Sequence, residues 1–349
     1  MRRAKGKLRF AVFGAGFWTP YQLAGWREVG SVECVAIYNR TRTKGEAIAR
    51  QFDIPAVYDD AERLLAEVQP DFVDNITEVG GHKPLSLLCA RHRIPCICQK
   101  PMAASLKDAR EMVAAFARAR TPFFVHENWR WQTPMRKLKE LLDDSIIGTP
   151  FRARFTVISG VEPWKNQPAL KELTQFILTD LGTHLLDMAR CCFGEASSVY
   201  CQTHRTLPKL LKGENVATVV MDMGPARTTV TCELAYAGTP LERECFPETL
   251  AFLEGPDGSI EVAANYWIRI TNRRGTVSRQ YAPTRYPWAN PQYEVAHASI
   301  VPCCANLLAG LRGTAKAETT GADNLETMKL VFAAYESAQT GKAVHTRRN

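Results

Sequence analysis

Leu8-Arg9-Phe10-Ala11-Val12-Phe13-Gly14-Ala15-Gly16-Phe17-Trp18-Thr19 is the stretch that decides the fold. Six β-prone residues run straight into a paired-glycine turn, and Pro20 then sits in the first turn of a helix-like segment. A strand, a glycine turn and a helix in that order aim backbone N–H groups and a helix N-terminus at a pyrophosphate. Gly14 and Gly16 fill the first two positions of G-x-G-x-x-G/A, with Phe17 and Trp18 following them. Thr19 takes the third position, so the match is partial.

Downstream residues extend the pattern. Val32–Tyr38 reads as a second strand ending at Asn39-Arg40-Thr41, where a doubly wound fold reads the adenosine ribose. Neutral Asn39 stands there in place of a carboxylate, followed by Arg40, Thr41, Arg42 and Lys44. A 2′-phosphate is repelled by a carboxylate and attracted by guanidinium groups, so the cluster leans towards NADP over NAD. The alternative is a solvated turn in which Asn39 serves both ribose hydroxyls of NAD. Helices are expected at Lys44–Phe52, Ala61–Val68, Pro84–Arg93 and Leu106–Arg118. Strands are expected at 56–58, 71–76, 95–98 and 122–125. Such interleaving implies a parallel sheet with ligands at the carboxyl ends of its strands, the edge on which Thr77, Lys100 and His126 fall. Lys100 precedes Pro101, which favours an extended Lys100 with its ammonium over the cofactor edge; a solvated loop lysine is the rival reading. Gln99 adjoins it, and His82 reads as a helix-start or cofactor-adjacent residue.

From about residue 150 the pattern becomes alternating strands, expected at 151–158, 198–204, 217–223, 228–236, 249–254, 258–262, 267–272 and 277–281. This predicts a mostly antiparallel open sheet with one face on helices and one face free to pair, hence a homo-oligomer, dimer or tetramer. Within this half, Asp180-Leu181-Gly182-Thr183-His184-Leu185-Leu186-Asp187 carries titratable residues at i, i+4 and i+7, walled by apolar neighbours. If helical, that stripe suits the wall of a cleft where an imidazole does acid–base work. A half-buried helix whose histidine caps a turn is the bland alternative. Asn128, Trp129 and Arg130, with Trp164 and Lys165, are candidate substrate contacts: Trp stacks on sugar C–H faces, while Arg, Lys and Asn donate to hydroxyls.

Composition narrows the class. The chain has 349 residues, 46% hydrophobic and 23% charged, which suggests a two-domain globular protein. No apolar run reaches membrane-spanning length, and the basic opening residues lead into a strand and not a signal peptide. Net charge is +8, yet the cations are scattered, so no nucleic-acid partner is expected. Eleven cysteines without a C-x-x-C pair read as free thiols in a reducing cytoplasm, with no metal site.

With these motifs in order, the chain resembles the Gfo/Idh/MocA oxidoreductases, named for glucose–fructose oxidoreductase and inositol dehydrogenase. The resemblance rests on Gly14-Ala15-Gly16-Phe17-Trp18, on Gln99-Lys100-Pro101 where the family usually has Glu-Lys-Pro, and on Asp180-x-Gly182-x-His184-x-x-Asp187. The closing Asp323-Asn324-Leu325 and Ala334–Ala338 segments resemble the family's last helix. It implies an α/β architecture: an NAD(P)-binding Rossmann domain over 1–127, then a substrate-binding and oligomerisation domain over 128–349. A helix at about 323–340 would pack back near the first domain. It also implies hydride transfer between nicotinamide C4 and a secondary alcohol carbon of a sugar, sugar acid, inositol or related polyol. Lys100, Asp180 and His184 would be the catalytic set: His184 carries the proton, Lys100 polarises the oxygen, and Asp180 orients substrate or His184. Departures are Gln99 for Glu, Thr77-Glu78 for Thr-Pro, and the bulky Phe176-Ile177-Leu178 in a usually glycine-rich entry. Rival activities are an NAD-dependent glycosidase working by transient oxidation and elimination, and a non-catalytic NAD(P)-binding regulator, which has no need of an acid–base set.

Overall fold

The computed structural model describes residues 6–237 and 248–346; the basic opening residues Met1-Arg2-Arg3-Ala4-Lys5 lie outside the described residues. The chain divides into two compact units, Met1–Glu127 with Ile300–Met328 and Asn128–Ser299 with Lys329–Asn349.

The first unit alternates strand and helix: β1 (Leu8–Phe13), α1 (Thr19–Val29), β2 (Val32–Tyr38), α2 (Arg42–Phe52), β3 (Ala56–Tyr58) and α3 (Ala61–Val68). It continues with β4 (Phe72–Asn75), α4 (Val79–Arg91), β5 (Cys96–Gln99), α5 (Leu106–Ala119) and β6 (Phe123–His126). The strands form one parallel sheet in the order β3-β2-β1-β4-β5-β6. This is the doubly wound order, with the sequence of strand addition switching sides between β1 and β4 while all strands stay parallel. Helices cover both faces, so central β4 is buried along its whole length, polar Asp74 and Asn75 included. Asp60 caps α3 and Ser105 caps α5 through N–H···O bonds of 3.1 Å each. α4 starts at Val79, five residues before the expected Pro84, because Gly80-Gly81 hides a first turn that the helix nonetheless makes.

The second unit holds α6 (Thr133–Asp143), β7 (Arg152–Ser159), α7 (Thr183–Phe193), β8 (Ala196–His204), β9 (Val216–Met223) and β10 (Thr228–Tyr236). β11 (Leu250–Gly255), β12 (Gly258–Ala263), β13 (Trp267–Asn272) and β14 (Gly275–Gln280) follow. α8 (Glu294–Arg312) then leads to α9 (Gly321–Thr340) and β15 (Val344–His345). Nine strands pair in the order β14-β13-β12-β11-β7-β10-β9-β8-β15; β7 and β10 run parallel and every other pair is antiparallel. Alternation sends Val199, Val219, Val230, Phe155, Leu253 and Ile260 into the core.

Residues 300–322 are expected with the second domain but group with the first unit, and the helix expected near the first domain over about 323–340 is divided, its start grouping with the first unit and 329–340 with the second. The reason is edge pairing: Val125 N–H donates to Thr319 O at 2.8 Å, Thr319 Oγ1 donates back to Val125 O at 2.7 Å, and Phe124 bridges Thr320. The sheet edge beyond β6 is thereby covered. Pro291–Arg312 has the length of a membrane span and an 18-residue window of mean hydropathy 1.3, yet 56% of that window is buried within the protein, as a core helix would be.

Candidate active site

In the first unit, Gly14 has φ +106°, and a Cβ there would come within 2.9 Å of Ile76 O, so only glycine lets β1 and the end of β4 approach. Gly16 is exposed and a Cβ on it would meet no atom within 4 Å. This leaves an open cradle over α1, which begins without a side-chain cap. Thr19, standing where a third glycine is common, closes the turn: its Oγ1 accepts from Gly16 N–H and donates to Gly14 O, both at 3.1 Å. Phe17 and Trp18 pack edge-to-face at 5.4 Å beside the turn. Asn39 Oδ1 accepts from Ala15 N–H at 3.0 Å and its amide donates to Thr41 O at 2.8 Å, so this side chain braces the glycine turn. Arg40, Thr41 and Lys44 are exposed around it. The open cradle and the cationic rim fit a dinucleotide, which Gly14, Gly16 and the start of α1 would hold at its phosphates and Asn39 to Lys44 at its ribose.

Thr77 Oγ1 donates to Asn75 Oδ1 at 2.7 Å at the mouth of β4. His82, read from the sequence as a helix-start or cofactor-adjacent residue, lies in the first turn of α4 as a buried clasp. Its two ring nitrogens sit 2.8 Å from the carbonyl oxygens of Pro101 and Thr77, tying the ends of β5 and β4 together. Burial lowers its pKa against the pull of those two carbonyls. Gln99 Oε1 accepts from Lys100 N–H at 2.8 Å, and the Lys100–Pro101 peptide is cis. His126, also on the strand-end edge, is buried against Cys304 at 3.5 Å.

In the second unit, Leu178–Gly182 form a π-helical turn that runs directly into α7. The expected single-helix stripe is therefore re-registered at its start, and its three titratable residues go to three different partners. Half-buried Asp180 accepts from Tyr236 Oη at 2.8 Å. Burial first and Asp180 second push the Tyr236 hydroxyl well above its ordinary pKa, which keeps it a donor. His184 is 3% exposed and lies face to face on Trp129, with ring centroids 4.2 Å apart and planes 19° from parallel. Trp129 is fixed in turn by an Nε1–H bond of 2.7 Å to Thr249 Oγ1. Asp187 is fully buried and receives Arg130 in bidentate fashion, Nε at 2.8 Å and Nη2 at 2.6 Å. Arg190 lies 4.0 Å from the same carboxylate and makes its own bidentate pair with Glu195.

Several substrate residues expected from the sequence are thus turned to the protein. Arg130 is the counter-ion of Asp187. Asn128 donates to Ala296 O at 2.9 Å and to Ser299 Oγ at 2.8 Å, anchoring the start of α8. Trp164 is core, edge-on to Phe176 and Tyr236. Lys165 stays exposed and pairs with Glu162. Tyr236 and Thr249 were missed: the first ends β10 and the second immediately precedes β11, so only the folded chain brings them to Asp180 and Trp129. Among the described residues no group of three or more His, Cys, Asp or Glu side chains is arranged to hold a metal ion.

Comparison with known proteins agrees with the fold. Residues 8–127 match the model of an oxidoreductase family with an NAD-binding Rossmann fold, and residues 135–261 match the GFO/IDH/MocA C-terminal domain. A D-apiose dehydrogenase of Rhizobium rhizogenes is 38% identical over 97% of both chains. Another, from Paraburkholderia graminis, is 37% identical over 99% of this chain and 91% of its own length. The crystal structure of an oxidoreductase from Agrobacterium radiobacter in complex with NAD+, L-tartaric acid and magnesium has a TM-score of 0.93 at 37% identity, covering 97% of this chain and 98% of that one. The chain belongs to the Gfo/Idh/MocA family and is an NAD-binding oxidoreductase.

Proposed function

We propose that the protein is a nicotinamide-dependent dehydrogenase acting on a CH–OH carbon of a small sugar or sugar acid. The observation that carries this reading is the His184 imidazole, laid flat on Trp129, with Asp180, four residues earlier in the chain, held by Tyr236. The stack fixes the plane in which the ring nitrogens of the imidazole give or take a proton, which suits a general acid–base. In this reading His184 takes the hydroxyl proton, Lys100 binds and polarises the same oxygen, and Asp180 orients the substrate. NAD, when bound, supplies the hydride acceptor at nicotinamide C4. Exposed Arg40 and Lys44 beside neutral Asn39 also suit the 2′-phosphate of NADP, so both cofactors are expected to be used.

Two relatives named for D-apiose, each aligned over nearly the whole chain, make D-apiose the first substrate to assay. Exposed Lys165 is retained as a substrate contact. The outer face of the nine-stranded sheet bears Tyr200, Val220, Leu250, Phe252 and Trp267, each 37–38% exposed, interspersed with Arg154 and Arg269. That mixture favours a homodimer or homotetramer through this face. The ten free cysteines among the described residues favour a reducing cytoplasm. The test is a panel of D-apiose, sugar acids and inositols with NAD and with NADP, reading the absorbance of the reduced nicotinamide. Turnover of D-apiose or a related sugar is expected; cofactor binding without reduction by any member of the panel would overturn the proposal.

A further inference from the structure

Asp74, in the middle of β4, has no solvent exposure, and the bonds it receives come from neutral donors. Trp26 Nε1–H donates to its Oδ2 at 2.7 Å, and Gln22 Nε2 donates to both its oxygens at 2.8 and 2.9 Å. Because a carboxylate only accepts, it turns the Gln22 amide so that its NH2 faces Asp74 and its Oε1 faces away. That Oε1 accepts from Gln99 Nε2 at 2.9 Å, which in turn leaves Gln99 Oε1 to accept from the backbone N–H of Lys100 at 2.8 Å. Both amides are therefore oriented by one charge at the end of the chain of bonds, and every member is satisfied.

We infer that Asp74 is a positioning residue for Lys100, acting through Gln22 and Gln99. The inference rests on the reading of Lys100 as the group that polarises the substrate oxygen. It also accounts for glutamine at position 99. A carboxylate there would set acceptor against acceptor at Gln22 Oε1 as long as Asp74 holds the far end, and reversing Gln22 would set its oxygen against Asp74. The polarity reverses without loss only if the charge moves: with an amide at 74 and a carboxylate at 99, Trp26, Gln22 and the Lys100 N–H again all find partners.

The test is a swap at about pH 8, above the value of about 7 to which burial raises the Asp74 carboxyl. Asp74→Asn, Gln99→Glu, the double variant and Lys100→Met are compared. Turnover of D-apiose with NAD is one readout, and hydrogen exchange of the Lys100 amide in peptides spanning residues 96–104 is the other. Each single variant is expected to lower kcat about tenfold with a smaller change in KM and to speed exchange, while the double variant recovers to within about threefold of the parent in both. A double variant no better than the worse single, or single variants with parental exchange and kcat, would overturn the inference. Parental kcat in Lys100→Met would overturn the reading of Lys100 instead. The exchange readout needs no substrate, so it decides the hydrogen-bond coupling even if D-apiose is not turned over.

Discussion

Asp74 and Asp187 are both fully buried, one in each unit, and their neighbours differ in kind. Asp187 is matched by the fork of Arg130, a rigid guanidinium that cancels its charge on the spot. Asp74 is matched by an indole N–H and a carboxamide, which solvate the charge without cancelling it. A cancelled charge is a local clamp: it holds the segment after β6 to α7, one turn beyond His184. An uncancelled charge reaches further, because it orients each dipole next to it, and here those dipoles lead to Lys100. The same residue type thus clamps one helix by an ion pair and, in the reading proposed above, orients Lys100 by the direction of a hydrogen-bond chain.

The contrast is easiest to break at the clamp. Arg130→Ala leaves Asp187 buried and uncompensated, and is expected to cost ~3–5 kcal/mol of unfolding free energy in a denaturant titration. A loss under 1 kcal/mol, roughly the worth of an exposed pair, would show that Asp187 is not held by Arg130.

The pH dependence of stability separates the two units next. Asp74 is raised from 3.8 to about 7 by burial, so the stability linked to it is fully present below about pH 4 and is lost as pH rises through about 7. His297, in the other unit, is lowered by burial from 6.5 to about 4; its stability is present above about pH 6.5 and is lost as pH falls through about 4. Asp74→Asn should remove the first slope and leave the second. Unfolding curves across that range, in which the acid-side loss disappears instead, would reverse the assignment.

Smaller effects sharpen the picture around His184 and the cofactor rim. Trp129→Leu removes the stacked indole and is expected to lower kcat by ~2–10-fold, with Trp129→Phe retaining most of it, since aromatic pairing contributes ~0.5–1.5 kcal/mol. Equal losses in the two variants would mean the stack does not position the imidazole. Arg40→Ser should shift relative kcat/KM from NADP towards NAD by about fivefold, the scale of one exposed charge on a phosphate; an unchanged ratio would remove Arg40 from the ribose site.

How much of this was legible in the sequence divides along the same line. Local signals carried the first unit: the glycine turn, the strand ends at Thr77 and Gln99, and the alternation of strand and helix all depend on neighbours in sequence. The residues that act at a distance did not declare themselves. Gln22 reads as an ordinary helix residue and Asp74 as a polar interruption of a strand. Only the parallel register of β1, β4 and β5 brings Asp74 beside α1 and Gln99 beside Gln22. In the second unit the Asp180–Asp187 octapeptide was visible as chemistry, but regular helical spacing does not foresee the π-turn over Leu178–Gly182. Arg130, Asn128 and Trp164 look like ligand-binding residues by type, and each is spent on packing: a guanidinium, an amide or an indole serves a buried partner as readily as a sugar. Placement of residues 300–322 is not legible because the pairing of Thr319 with β6 spans 194 residues of chain.

In the proposed reading His184 is the proton carrier, set by its stack on Trp129 and not by any part in holding the cofactor. That role is tested most directly by His184→Ala, with turnover of the sugar and NAD binding measured on the same preparation. Turnover is expected to fall by ~10²–10⁴-fold while the dissociation constant for NAD stays within about twofold. Parental turnover would contradict the account, and so would a loss of turnover matched by an equal loss of NAD affinity.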